Sequence, residues 1–243
     1  MRKTLGGVAA MAVMLAVVAT VQGGETDRAT YDFKLSAKRP SAPSGMSVHV
    51  VFKDPEDPEA KPPALDGAVL GLPRGMQIDD TAVPSCDATD DDFQMQGRDA
   101  CPAETQVGSG AVTVMLGIPP ADPQKLDLVA FNGDGEIVEV VFFADSNVVA
   151  GIDRVTIEEG RLVAHPPSPP GGPPDGRTAI RELELNVPRR IGPEGDSYVT
   201  TPPRCPRRRS WRSRGEFEFA DGGATAVRDR TRCRRPRPRA QDR

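Results

Sequence analysis

Thirty-five carboxylates, four cysteines and two histidines are the side chains with which this 243-residue chain could do chemistry. A catalytic triad or a zinc site would need His49 or His165 beside Ser and Asp, or beside further ligands. No H-E-x-x-H, C-x-x-C or G-x-S-x-G spacing supplies that neighbourhood. The histidines are therefore read as structural or surface residues, His49 inside a strand pattern and His165 at the edge of a proline-rich loop. Gly108-Ser109-Gly110 lacks the lysine and the spacing of a phosphate loop, so it reads as a small-residue strand entry. Two carboxylates could make a glycosidase pair, but that depends on separations of a few ångströms that spacing along a chain does not fix.

Asp90, Asp91 and Asp92 invite a calcium reading, since hard cations favour clustered carboxylates. The alternating ligands, central glycine and terminal glutamate of an EF-hand loop are missing, whereas Thr89 and Asp92 stand at capping-box spacing. A short helix follows, with the aspartates at its positive end and Gly97 positioned to stop it. Trp211, Phe217 and Phe219 could form a sugar-binding platform, but aromatics in a hairpin more often fill a core. No catalytic, cofactor-binding or metal-ligating set is expected.

The cysteines are better read as staples. Arg2 and Lys3 precede an uncharged run from Val8 to Val21 that ends in small residues, the pattern of a secretory signal peptide over residues 1–23. The run is too short for the ~20 apolar residues of a membrane span. No cysteine follows the cleavage candidates, so no lipid anchor is expected, and the mature protein should be secreted or extracytoplasmic without a membrane span. In an oxidising space four cysteines without metal-type spacing imply two disulfides. Of three possible pairings, Cys86 with Cys101 and Cys205 with Cys233 are expected, because each pair brackets one compact local element.

These staples need elements to hold. A 37 % hydrophobic content with 25 Pro and 24 Gly implies many turns and short segments. Tyr31, Phe33, Leu35 and Ala37 alternate with polar neighbours, as do Met46, Val48, Val50 and Phe52, which marks two half-buried strands. Residues 54–63 carry four prolines and mixed charge and read as a loop. Further strands are expected over 64–72, 107–116 and 126–131. Asn132-Gly133-Asp134-Gly135 turns the chain into another strand over 136–143, and 152–158 and 161–165 form a hairpin across Glu159-Gly160. Residues 165–176, HPPSPPGGPPDG, are too rich in proline for a sheet and read as an exposed loop or linker. Alternation resumes at Leu183, Leu185 and Val187, and a last hairpin joins 211–219 to 224–231. About ten strands with one short helix predict an all-β fold over residues 24–233, a β-sandwich of generally immunoglobulin-like architecture.

The strings GRDACPAETQVGSG (97–110) and TPPRCPRRRSWRSRGEFEFADG (201–222), with Cys233 beyond them, resemble a group of uncharacterised exported Cys-Pro proteins from high-GC actinobacteria. That resemblance covers most of residues 65–233 and implies a secreted β-rich fold. It implies no activity. The Arg207-Arg208-Arg209 run and the basic end depart from the group's pattern.

Charge divides the chain. Residues 204–243 hold fourteen Arg against five acidic residues, +9; removing that and the +2 of the first 23 residues from the total of −4 leaves −15 on residues 24–203. Residues 234–243 read as a disordered basic tail. There Arg234, Arg235, Arg237 and Arg239 could contact an anionic cell-envelope polymer through bidentate guanidinium bonds. A codon-biased, functionless end is the competing reading. Nucleic acid is not expected, because no aromatics interleave with the arginines. The reading is a non-catalytic binding or structural module of the envelope or the medium. The alternative is a secreted carboxylate-dependent hydrolase acting on polysaccharide.

Overall fold

The computed structural model describes residues 28–119, 122–145 and 147–235. The expected signal peptide over residues 1–23, Arg237 and Arg239 lie outside them. The all-β expectation holds, and the staples form as paired above: Cys86 bonds Cys101 and Cys205 bonds Cys233.

Thirteen strands follow in chain order: β1 (Ala29–Leu35), β2 (Met46–Phe52), β3 (Leu65–Gly71), β4 (Gln77–Ile78), β5 (Gln106–Met115), β6 (Gln124–Asn132), β7 (Ile137–Ala144), β8 (Val148–Glu158), β9 (Arg161–Ala164), β10 (Ala179–Val187), β11 (Val199–Thr200), β12 (Ser210–Phe219) and β13 (Ala224–Arg232). Among the described residues one α-helix, α1 (Asp90–Gln96), lies between β4 and β5, with three short 3₁₀ turns around it. Eleven strands make one antiparallel sheet in the order β1-β2-β10-β5-β6-β7-β8-β9-β3-β12-β13, and β4 pairs β11 separately. The two-residue strands β4 and β11 carry no alternation that a sequence could display.

The sheet rolls until its edges β1 and β13 lie side by side. Across that seam the Phe33 amide donates to Asp229 Oδ2 (2.8 Å) and Thr231 Oγ1 donates to the Phe33 carbonyl (2.7 Å). The packed layers are thus opposite walls of one rolled sheet. Inward positions alternate along every wall: Met46, Val48, Val50 and Phe52 on β2 face Leu128 and Ala130 of β6 and Phe217 and Phe219 of β12 across a common core. Trp211, Phe217 and Phe219 belong to this core, and Phe52 meets Phe217 edge-on at 4.9 Å. Gly110 permits the closest strand approach, since a Cβ there would lie 1.8 Å from the Glu184 carbonyl. This is why the small-residue entry to β5 holds glycines.

Strands β6 and β7 read as continuous apolar runs because both their faces are covered. Their outer residues Val129, Phe131, Val141 and Phe143 pack under Phe93 of α1 and the Cys86–Cys101 bridge. Thr89 and Asp92 form the capping box, and Gly97 ends the helix at φ 61°. Among the described residues no helix is long and apolar enough to cross a membrane.

Candidate functional site

Barrels of about eight strands are just filled by their own side chains, and wider ones enclose space. Here eleven strands surround inward positions that are mostly Val, Ala and Leu. The interior keeps an apolar chamber of about 120 Å³, walled by Val48, Val50, Val107, Ala130, Val140 and Leu162 among others. Tyr198, just before β11, lies at the lower end, and burial pushes its phenol up, with the Asp80 charge adding to the rise. Its hydroxyl is buried without a partner among the described residues.

Phe142 and Ile180 border this chamber and a second of about 260 Å³ above it. The upper space is lined by Val112, Val114, Leu126 and Gly151 and is roofed by Pro167, Pro169 and Pro170. The proline-rich segment is a loop, as its composition predicts. Seven of its twelve residues (165, 169, 170 and 173–176) are exposed, as expected of a loop, while its inner side packs as a strap over the mouth of the barrel. Lys61 anchors it. The Lys61 side chain is 5 % exposed, and its Nζ donates to Asp175 Oδ1 (2.7 Å), to the Gly172 carbonyl (2.9 Å) and to the Arg177 carbonyl. Burial pushes the Asp175 carboxyl up, but the Lys61 ammonium and the amides of Ala64 and Arg177 outweigh it and hold the group below its ordinary range.

One carboxyl stands in the inner chamber wall. Asp153 on β8 is 6 % exposed, and its Oδ1 accepts the His165 amide at 3.2 Å. Burial pushes its carboxyl above the ordinary 3.8, and the His165 amide and ring offset only part of the rise. Alternation along β8 turns Asp153, Val155 and Ile157 inward, so a carboxylate in the inward frame was the sequence signal for this wall. The chamber itself had none, because it is the sum of small shortfalls on many strands.

The remaining candidates separate widely. His49 on β2 meets Glu182 of β10 at 2.8 Å and Glu184 at 3.9 Å on the outer face, a group with the reach to hold a cation. Cys86, Cys101 and Glu139 also cluster, but the sulfurs are spent in the disulfide. Glu139 is buried beneath α1, which pushes its carboxyl up; Arg154 at 3.5 Å opposes that. An acid-lined groove of about 560 Å³ runs along the lower end with Asp79, Asp80, Glu136, Glu158, Glu159 and Asp196. Three of these are engaged: Asp79 accepts from Thr81, Asp80 from the Glu136 amide, and Glu158 pairs with Arg161. Asp90 pairs with Arg154 at 2.7 Å, and Asp92 is held by the capping box. Arg234 and Arg235 are exposed just past the second disulfide, where the Arg234 amide donates to the Lys38 carbonyl.

Neither a known family model nor a curated protein matches this chain. The two chambers together reach the lower range of small-molecule sites, ~300–1,000 Å³. Their apolar walls suit a ligand held by burial, at about 0.8 kcal/mol per CH₂ removed from water.

Proposed function

We propose that this protein is exported and acts outside the cytoplasm as a non-catalytic binding module that holds a small, mostly apolar molecule inside its barrel. The observation that carries this reading is the apolar chamber of about 120 Å³ adjoining a larger one beneath a fastened strap. Apolar cavities of similar size, ~150 Å³, stay dry and take up benzene-like guests. Two disulfides suit an oxidising compartment. The basic end, with Arg234, Arg235, Arg237 and Arg239, would hold the loaded protein near anionic envelope polymers. A carboxylate-dependent hydrolase fits less well. Glycosidases need a carboxyl of raised pKa facing a second carboxylate across one cleft. Here the carboxyls that burial raises, Asp153 and Glu139, lie on opposite faces of the sheet.

The test is titration with the apolar fluorophore 1-N-phenylnaphthylamine. Saturable one-to-one uptake, reduced when Ala130→Phe fills the inner chamber, supports the reading. Uptake that never saturates, or that Ala130→Phe in a folded protein leaves unchanged, overturns it.

A further inference from the structure

Resting on the reading of the barrel as an apolar-ligand site, we infer that its ligand is not a plain hydrocarbon but carries an alcohol hydroxyl, which donates a hydrogen bond to Asp153. The wall around Asp153 is built from Val140, Val155, Leu162 and Ala164. A carboxyl offers about four acceptor positions, and among the described residues the donor that reaches Asp153 is the His165 amide. Among the described residues no Lys or Arg reaches it within ion-pair distance, and His165 is the ionisable neighbour that acts on it. A capping role at the start of the strap accounts for one oxygen and leaves acceptor capacity toward the chamber.

Three donors could meet that capacity. A water molecule would need two to four polar partners, and besides Asp153 these walls offer the Tyr198 side chain at the lower end. An ammonium would have to be stripped of its hydration among apolar walls, where burial also raises the Asp153 carboxyl and so disfavours its charged form. A hydroxyl attached to an apolar body donates to Asp153 in either protonation state while its body fills the chamber. A fatty-acid head would set a second carboxyl against the first. The chemistry that matches is therefore a lipid-type alcohol, its hydroxyl just below the neck formed by Phe142 and Ile180.

The experiment displaces 1-N-phenylnaphthylamine from the full chain with decane, 1-decanol, decanoic acid and decylamine at pH 7. The expected result is about tenfold tighter displacement by decanol than by decane, the scale of one net hydrogen bond in either protonation state, with decanoic acid weaker than decanol. Asp153→Leu should abolish the decanol preference and keep decane binding. Asp153→Asn, which retains the cap on His165, should keep much of the preference and serves if the leucine variant does not fold. Equal displacement by decane and decanol in the native protein overturns the inference and leaves the apolar-ligand reading standing. Decylamine binding more tightly than decanol, with loss of that binding in Asp153→Asn, overturns it in favour of a cationic ligand. Displacement by none of the four overturns both.

Discussion

Replacing Lys61 with methionine should free the strap from the barrel mouth without unfolding the barrel. The substitution keeps the unbranched stem and removes the ammonium that joins Asp175 to the carbonyls of Gly172 and Arg177. Removing one partner of a buried ion pair typically costs about 3–5 kcal/mol, because the other charge stays behind uncompensated. Asp175 keeps the amides of Ala64 and Arg177 and is partly exposed, which places the expected loss near ~3 kcal/mol. The loss falls on residues 165–178, whose ties to the barrel include the Gly172 amide to the Leu116 carbonyl; within the strap the Thr178 amide reaches the Pro169 carbonyl. Hydrogen exchange should then quicken about a hundredfold at Gly172 and Thr178, since ~1.4 kcal/mol is a factor of ten. Amides of β6 and β7 should be unaffected, and bound fluorophore should leave faster. Adding Asp175→Asn to the variant should restore part of the protection by removing the orphaned charge. The native protein offers the same test by pH. The Asp175 carboxyl sits below its ordinary 3.8 when folded, so the stability it contributes is complete above 3.8 and disappears as pH falls through the lower folded value. Strap protection should therefore be level from pH 5 to 8 and collapse in acid. Uniform exchange across strap and barrel in Lys61→Met, or no recovery in the double variant, would refute this account.

Peptide mapping without reductant should recover Cys86 linked to Cys101 and Cys205 linked to Cys233. Replacing either pair by serine should lower stability by about 3–4 kcal/mol on the loop-entropy relation, read by chemical denaturation. Glu139→Gln should raise the melting temperature at pH 7–8: burial lifts the Glu139 carboxyl above its ordinary 4.5, so its stabilising contribution is complete below 4.5 and is lost as pH rises through the folded value. A lower melting temperature for this variant at pH 8 would mean that the Arg154 contact outweighs burial. Deleting residues 236–243 should leave the melting curve unchanged and weaken binding to anionic polymers, with intact-protein binding falling as salt rises; equal binding with and without them would remove their proposed role.

What was legible in the sequence was local. Alternation marked β1, β2 and β10 because each has one wet face, Asn132-Gly133-Asp134-Gly135 announced its hairpin, and Thr89 with Asp92 announced α1. Pairings across long separations were not legible. Nothing in the composition of β10 says that it inserts between β2 and β5, since many strands offer equivalent apolar edges. Lys61 was hidden for a different reason: a lysine in a proline-rich, charged loop reads as solvated, and only the folded strap surrounds it. The same holds for the prolines of residues 165–176, whose resistance to sheet pairing was correctly read but whose apolar rings had no visible destination. Asp153 went unread: a lone acidic residue in the inward frame of β8 is a weak signal, and its meaning depends on a chamber that no single strand encodes.

The seam between β1 and β13 joins residues nearly two hundred positions apart, with Phe33 reaching both Asp229 and Thr231. A nascent or threading chain therefore lacks its closing partner until the final strand has emerged. High average separation between contacting segments slows folding, into the millisecond-to-second range for all-β topologies. Under the export proposed above, that delay would be useful to a chain that crosses a translocation channel as an extended polypeptide. Late closure would keep such a chain unfolded and competent for passage, with the last strand to arrive completing the barrel on the far side.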